Sequence, residues 1–172
     1  MIKAMEEIGD RFQQQKAFVP ELLMAARAMK GSLELLKSCM KGNNTVTVGK
    51  IVIGTVFGDL HDIGKNLVAS MFEGCGFEVV NLGVNVPPSK FVEVVKTEKP
   101  DILCLSALLT TTMNNMKDVI VALEQAGLRD QVKVMVGGAP VNQMFADQIG
   151  ADAYTGNANA AVLKAKELLS VA

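Results

Sequence analysis

The sequence predicts an α/β protein, a doubly wound five-stranded parallel sheet preceded by a small set of amphipathic helices. Three features carry that prediction. Apolar runs alternate with amphipathic stretches from residue 50 onward, those runs are continuous rather than alternating, and the first forty residues instead repeat apolar side chains at helical spacing. Continuous apolar strands belong to sheets covered on both faces, and strand–helix–strand units join parallel strands through right-handed crossovers.

In chain order, Ile2, Met5, Ile8 and Phe12 mark a first helix, and Phe18, Leu22, Ala26, Met29, Leu33 and Leu36 a second. Pro20 has no amide hydrogen and a fixed φ, so it suits the opening turn of the second helix, where Glu21 is favoured by the positive helix end. The break therefore falls between Gln15 and Val19. Two short helices cannot enclose a core alone, and the pattern already runs at residue 2 without a cap, so earlier helices are expected to be missing. The stretch from Ser38 to Gly49, with Gly42, Asn43 and Asn44, has little periodicity and reads as a linker. The expected division is a helical cap over 1–40, a linker over 41–49 and an α/β domain over 50–172.

Within that domain, strands are expected at 51–57, 77–82, 102–108, 132–136 and 153–155, and helices at 65–73, 89–97, 113–126, 141–149 and 158–169. Ligands of such sheets bind beyond the carboxyl ends of the strands, where strand order reverses. The loops at 58–64, 108–112, 137–140 and 155–159 are therefore the ones to inspect.

Composition removes several function classes. Seventeen basic residues against eighteen acidic ones give a net charge of −1, and no Lys/Arg block offers a face for nucleic acid. No apolar run approaches the roughly 18 residues of a membrane span, and the N-terminus lacks the apolar core of a secretory signal, so a soluble, cytoplasmic protein is expected. Cys39, Cys75 and Cys104 are odd in number and widely spaced, which suggests ordinary thiols rather than disulfides or a zinc knuckle. With seven Phe, one Tyr and no Trp, a large flat ligand must be gripped by aliphatic groups and backbone. No Ser–His–Asp hydrolase set, phosphate-cradling Gly-rich loop or paired-metal carboxylates are visible.

His61, the single histidine, lies in Gly58-Asp59-Leu60-His61-Asp62-Ile63-Gly64, directly after the first strand of the sheet. Asp59, two residues earlier, can accept a hydrogen bond from the imidazole Nδ1–H, which fixes the tautomer and leaves Nε2 for a metal. One histidine cannot hold a free zinc or iron ion, whereas a metal already held in a macrocycle needs only one. Haem meets that condition too, but Gly58 and Gly64, which let the backbone approach a bulky face, favour a different macrocycle; Gly54 lies back in the strand.

The loop matches the Asp-x-His-x-x-Gly signature of cobalamin-binding domains. Ser106-Ala107-Leu108 matches their Ser-x-Leu element, Gly137-Gly138 their paired glycines, and Tyr154-Thr155-Gly156-Asn157-Ala158 resembles their last nucleotide-contacting loop. Over essentially the whole chain the sequence resembles corrinoid proteins of methyltransferase systems and the cobalamin module of methionine synthase. Residues 16–29 look like the third-to-fourth helix junction of their helical cap, with the first half of the cap absent. The implied fold is a Rossmann-like cobalamin-binding domain behind a partial helical-bundle cap.

The resemblance implies that the cofactor's lower nucleotide arm leaves the cobalt and enters a deep slot, and that His61 takes its place on the metal. Ser106, Ala107, Gly137, Gly138 and Ala139 would clear the slot of side-chain volume. The implied cofactor contacts are residues 58–64, Ser106, Leu108, Thr110, Gly137, Gly138, Asn157 and Ala158. Thr112 is expected to complete a Thr112–Asp59–His61 relay; Thr110 or Thr111 could serve instead, or all three could cap a helix beginning at Met113. Phe18, Leu22 and Met24 are expected either to face the cofactor from the cap or simply to pack its helices.

The implied activity is that of a methyl carrier with little or no turnover alone. A substrate:corrinoid methyltransferase would load cobalt from a methylated small molecule, such as methanol, a methylamine, a betaine or, as in O-demethylase systems, a methoxyaromatic. A corrinoid:tetrahydrofolate methyltransferase would unload it into one-carbon metabolism, and a reductive activator is a further implied partner. The rival readings are the cobalamin subunit of an adenosylcobalamin mutase, a cobalamin-sensing regulator, and a receiver-like domain with no cofactor.

Overall fold

The computed structural model describes residues 2–39 and 47–170. Helix α1 (Ile2–Gln13) and helix α2 (Val19–Cys39) form the N-terminal pair. Pro20 lies in the first turn of α2, as its missing amide hydrogen requires, and the Glu21 carboxylate accepts a hydrogen bond from the Phe18 amide at 2.6 Å. That bond satisfies a donor ahead of the helix start and forms one half of a capping box. Residues 40–46 of the expected linker lie outside the described residues, as do the side chains of Ile2, Leu33, Leu36 and Cys39.

The rest of the described chain is a run of βα units: β1 (Lys50–Thr55), α3 (Ile63–Gly74), β2 (Glu78–Asn81), α4 (Pro88–Glu98), β3 (Ile102–Ser106), α5 (Asn115–Gln125), β4 (Lys133–Gly137), α6 (Gln143–Ile149), β5 (Ala153–Tyr154) and α7 (Ala158–Leu168). All strand pairs are parallel, in the order β2-β1-β3-β4-β5. The chain leaves β1 toward one edge and returns as β3 on its other side, so strand order reverses between β1 and β3.

Both sheet faces are covered, which is why the strands read as unbroken apolar runs. On one face Val52, Leu103, Leu105, Val134 and Val136 pack with Phe91 of α4 and with Met116, Ile120 and Leu123 of α5. On the other, Ile51, Ile53, Ile102, Cys104 and Met135 meet Met71 and Phe72 of α3 and Ala161, Val162 and Ala165 of α7. Met5, Leu22, Ala26 and Met29 join this second layer, so the N-terminal pair is seated on α3 and α7.

Several boundaries differ from expectation, each for a local reason. Strands β1 and β3 each stop two residues early, because the following backbone is diverted into turns and side-chain bonds instead of the ladder. Helix α3 starts two residues early, at Ile63, which is almost fully exposed and so adds nothing to a core-facing pattern. Helix α5 starts two residues late, because Thr112 and Asn115 close successive turns ahead of it. Helix α6 begins at Gln143, where Asn142 Oδ1 accepts from the Phe145 amide at 2.9 Å and caps the end.

Gly54, in the middle of β1, is where the Phe91 ring crosses the strand. A Cβ there would stand 2.8 and 2.9 Å from two ring carbons of Phe91, which is itself fully buried. Gly54→Ala should therefore destabilise the fold by about 1–3 kcal/mol through overpacking. The urea midpoint should fall with an unchanged denaturant slope, and adding Phe91→Leu should recover part of the loss. An unchanged midpoint for Gly54→Ala would refute the tight fit.

Candidate cofactor site

After β1 the chain turns at Gly58, whose φ of 79° favours glycine and whose amide donates to Asn85 Oδ1 at 2.8 Å. The turn drives Asp59 into the protein, where it is fully buried. Its Oδ2 accepts from the Leu108 amide at 2.8 Å, the Leu109 amide at 3.3 Å and the Thr112 hydroxyl at 2.7 Å. Its Oδ1 accepts from the His61 amide at 3.0 Å and faces His61 Nδ1 at 2.7 Å. Burial on its own pushes this carboxyl up; the Leu108 and His61 amides, the Thr112 hydroxyl and the imidazole overrule it and hold the group well below the usual carboxylate range.

An ionised carboxylate can only accept hydrogen bonds, so His61 Nδ1 is the donor to it and, in the neutral imidazole, Nε2 is the nitrogen with a free lone pair. The Thr55 hydroxyl donates to the His61 carbonyl at 3.0 Å and ties down the same loop. The His61 side chain remains about half exposed, at 51%. Among the described residues no group of three or more His, Cys, Asp or Glu could chelate a free ion. The single imidazole therefore suits a metal that brings its other ligands with it.

Beside His61 lies a cavity of about 750 Å³. Strand register sets its layers. Ser106 and Gly137, in register on β3 and β4 with the fully buried Thr55 of β1 beside them, line its upper layer, and two residues deeper on the same face Ile53, Cys104 and Met135 pair in a second row. Leu67 and Val68 of α3, Ala161 of α7 and Phe12 of α1 complete the walls. Gly138 is indispensable to this shape: its φ is 135° and a Cβ would collide with the Ala107 carbonyl oxygen. At Gly64 a Cβ would project into open space, so the absent side chain leaves room at the wall. A mostly apolar pocket of this volume, with few polar groups and one oriented imidazole, fits a large macrocyclic cofactor.

Of the residues expected to contact a cofactor, Leu60, His61, Asp62, Ile63, Gly64, Ser106, Leu108, Gly137, Gly138, Asn157 and Ala158 line the cavity. Asp59 and Thr112 stand buried behind it, with Leu108 contributing its amide to their network. Gly58 and Thr110 fall outside the wall, and Thr110 is exposed. Gly58 is needed for the turn, and Thr112 rather than Thr110 or Thr111 makes the bond to Asp59. The threonines do not cap α5, whose N-cap position is Asn114.

In the cap, Leu22 is a fully buried packing residue, Phe18 and Met24 are mostly exposed, and none of the three reaches the cavity; Phe12 does. Sequence reasoning also missed Lys65 and the deep row. Lys65 is buried in the wall, with Nζ donating to Asn66 Oδ1 at 2.6 Å and Asn81 Oδ1 at 2.8 Å; burial lowers its pKa while Asp62 opposes that. The deep row could have been found by counting two residues back along each strand from Thr55, Ser106 and Gly137.

The fold and the solitary, oriented imidazole suit a protein that takes a ring-held metal at the switch point of a doubly wound sheet. Comparisons with known proteins agree. Residues 49–164 match a family model described as B12 binding domain, and residues 1–37 match a second model of the same description. The chain belongs to the B12-binding domain family, and its cofactor is a corrinoid.

Dimethylamine corrinoid protein 3 of Methanosarcina mazei is 50% identical over 167 residues, covering 96% of this chain and 100% of that relative. The trimethylamine corrinoid protein of Methanosarcina barkeri is 49% identical over 169 residues, 97% of this chain and 78% of the relative. Among solved structures, a cobalamin-binding protein from Desulfitobacterium hafniense matches with a TM-score of 0.85 and 36% identity over 97% of this chain and 79% of that one. The methanol:cobalamin methyltransferase complex MtaBC from Methanosarcina barkeri matches at 0.87 and 32%, over 99% of this chain and 65% of that one. A response-regulator receiver domain from Mycobacterium tuberculosis, at 0.51 and 18%, shares the fold alone.

Asp59→Asn should cost about 2–4 kcal/mol, because the replacement cannot accept from all the buried donors now gathered on the carboxylate. Since the folded pKa is lowered, the stability this group contributes is complete above its unfolded value, about 3.9, and is lost as pH falls through the folded one. Urea unfolding between about pH 4 and 2.5 should thus show a shallower pH dependence in Asp59→Asn, by up to about 1.4 kcal/mol per pH unit. Parallel pH profiles for the two proteins would contradict the assigned charge state.

Proposed function

We propose that this protein is a methyl carrier: its corrinoid is loaded from a methylated small molecule by one partner methyltransferase and unloaded by a second. The observation that carries the reading is the Thr112–Asp59–His61 chain, which presents a lone-pair nitrogen beside a deep apolar cavity. A corrinoid held there would supply the methyl-transfer chemistry of its cobalt. His61 Nε2 would be its protein ligand, and Asp59, held against Nδ1 at 2.7 Å, would fix the orientation of the ring and strengthen it as a donor.

Leu60 and Ile63 flank His61 as largely exposed apolar side chains that exclude water from the ring it meets. Ser106, Gly137 and Gly138 leave the slot open, and Asn157 and Ala158 border it at the start of α7. The loop 58–62 and the first residues of α3, Ile63 and Gly64, together set the imidazole, with Gly58 and Asp59 serving from behind the wall.

The relatives named for dimethylamine and trimethylamine support a methylated amine as the methyl source. The structural neighbour in a methanol:cobalamin methyltransferase complex supports loading by a separate catalytic subunit, which selects the donor. A tetrahydrofolate-type acceptor, reached through the second methyltransferase, and a reductive activator complete the reading, with a cytoplasmic setting.

Reconstitution with hydroxocobalamin tests it. Electron paramagnetic resonance of the Co(II) holoprotein should show nitrogen hyperfine coupling that vanishes in His61→Ala while corrinoid is still retained, and coupling unaffected by that change would refute the ligation. Gly138→Ala should weaken corrinoid retention at least about tenfold, measured by desalting and visible absorbance, because its Cβ displaces the Ala107 backbone from the slot wall. Loss of the holoprotein's methyl-acceptor signal with every methylated amine, in the presence of a matching methyltransferase, would remove the amine assignment.

A further inference from the structure

We propose that the floor of the cavity selects the lower base of the corrinoid, favouring an apolar benzimidazole-type base over a purine. The proposal rests on the reading that the nucleotide arm occupies this cavity. Its physical basis is the deep register row. Ile53, Cys104 and Met135 lie side by side on β1, β3 and β4 and are 2%, 7% and 2% exposed. Leu67 and Val68 of α3 and Ala161 of α7 face them, so this level is walled by hydrocarbon and sulfur. The strand amides and carbonyls here are engaged in the parallel ladders and cannot turn to a ligand.

Polar groups of the cavity belong to other levels. Ser106 lies two residues beyond Cys104 on β3, Thr155 and Asn157 follow the end of β5, the Tyr154 hydroxyl lies by Gly156 beyond that end, and Asn157 Oδ1 is occupied by the Ala160 amide. Lys65, the only lysine or arginine of the wall among the described residues, is held by Asn66 and Asn81. At the floor the heteroatoms of the described side chains are the Cys104 thiol, a weak donor and acceptor, and the Met135 thioether, a weak acceptor. Burial pushes this thiol up to about 12, so it stays neutral and offers no charge to a polar base.

A benzimidazole and a purine are two fused rings of similar size, so filling the cavity does not separate them. Polarity does. A purine carries ring nitrogens, and in adenine an exocyclic amine, on the ring remote from the ribose. Each such atom would leave water and meet no partner at this floor, which costs roughly tenfold or more in affinity. The hydrocarbon edge of a substituted benzimidazole loses nothing by the same transfer and gains dispersion contacts.

The test compares three corrinoids on the apoprotein by equilibrium dialysis: one with 5,6-dimethylbenzimidazole, one with adenine, and cobinamide, which has no nucleotide. The benzimidazole form should bind at least about tenfold more tightly than the adenine form. Cys104→Asn or Met135→Gln, each adding a hydrogen-bonding amide at the floor, should narrow that gap, and the comparison on the unaltered protein stands even where a variant fails to fold. Equal binding of the two complete corrinoids, both well above cobinamide, would overturn base selection while leaving the arm in the cavity. Equal binding of all three would overturn the placement of the arm as well, and tighter binding of the adenine form would overturn the proposed chemistry of the floor.

Discussion

The Asp59 carboxylate is the point on which the site depends. Placing an ionised group out of water is costly, and the cost is offset only because donors converge on it from separate segments: the amide and ring of His61 from its own loop, and the Leu108 amide and Thr112 hydroxyl from the loop after β3. Strands β1 and β3 are neighbours, with Thr55 opposite Ser106, so residues a few positions beyond each strand end are brought within bonding distance. One carboxylate thereby clamps the two loops that border the topological switch point and orients the imidazole in the same act. The same bonds explain why both strands stop short, since the Leu108 amide cannot serve a ladder and Asp59 at once.

The cavity follows from sheet geometry in an equally direct way. Side chains on one face recur every second residue, so the row Thr55, Ser106 and Gly137 necessarily stands above the row Ile53, Cys104 and Met135. Small residues in the upper row open a passage, and large apolar residues in the lower row end it. Gly138 keeps that passage because it lets the chain pass directly against the Ala107 carbonyl. Depth, width and polarity of the slot are therefore written in the register of three strands.

This explains what the sequence disclosed and what it withheld. Alternation of apolar runs with helical stretches was enough for five βα units and a parallel sheet, because burial on both faces leaves an unmistakable texture. Asp59, His61 and Gly64 were legible as a lone imidazole beside a carboxylate in a glycine-flanked loop, whereas Ser106 and Gly138 were legible only through the resemblance to cobalamin-binding domains. Ile53, Cys104 and Met135 were not, since by type they are ordinary core residues and only register shows that part of their surface faces a cavity. The choice among Thr110, Thr111 and Thr112 depended on the turns between Leu109 and Asn115, which leave only the last hydroxyl against Asp59. Phe12 escaped notice because its place depends on how α1 lies on α7, a contact between residues far apart in the chain.

That contact joins the N-terminal helices to the cavity mechanically. Gly9 of α1 lies so close to α7 that a Cβ would collide with the Asn159 side chain, and Gly74 of α3 lets Met5 and the Ala26 backbone approach to within 3.2 and 3.3 Å of where a Cβ would stand. Contacts this close leave little room for sliding, so the position of α1 is set by α7 and that of α2 by α3. Helices α3 and α7 are the same two elements that supply the side walls of the slot, through Leu67 and Val68 on one and Ala161 on the other. A group that enters between them bears on the seats of both N-terminal helices, and through α1 on Phe12. The helical pair and the cavity are thus one packed unit.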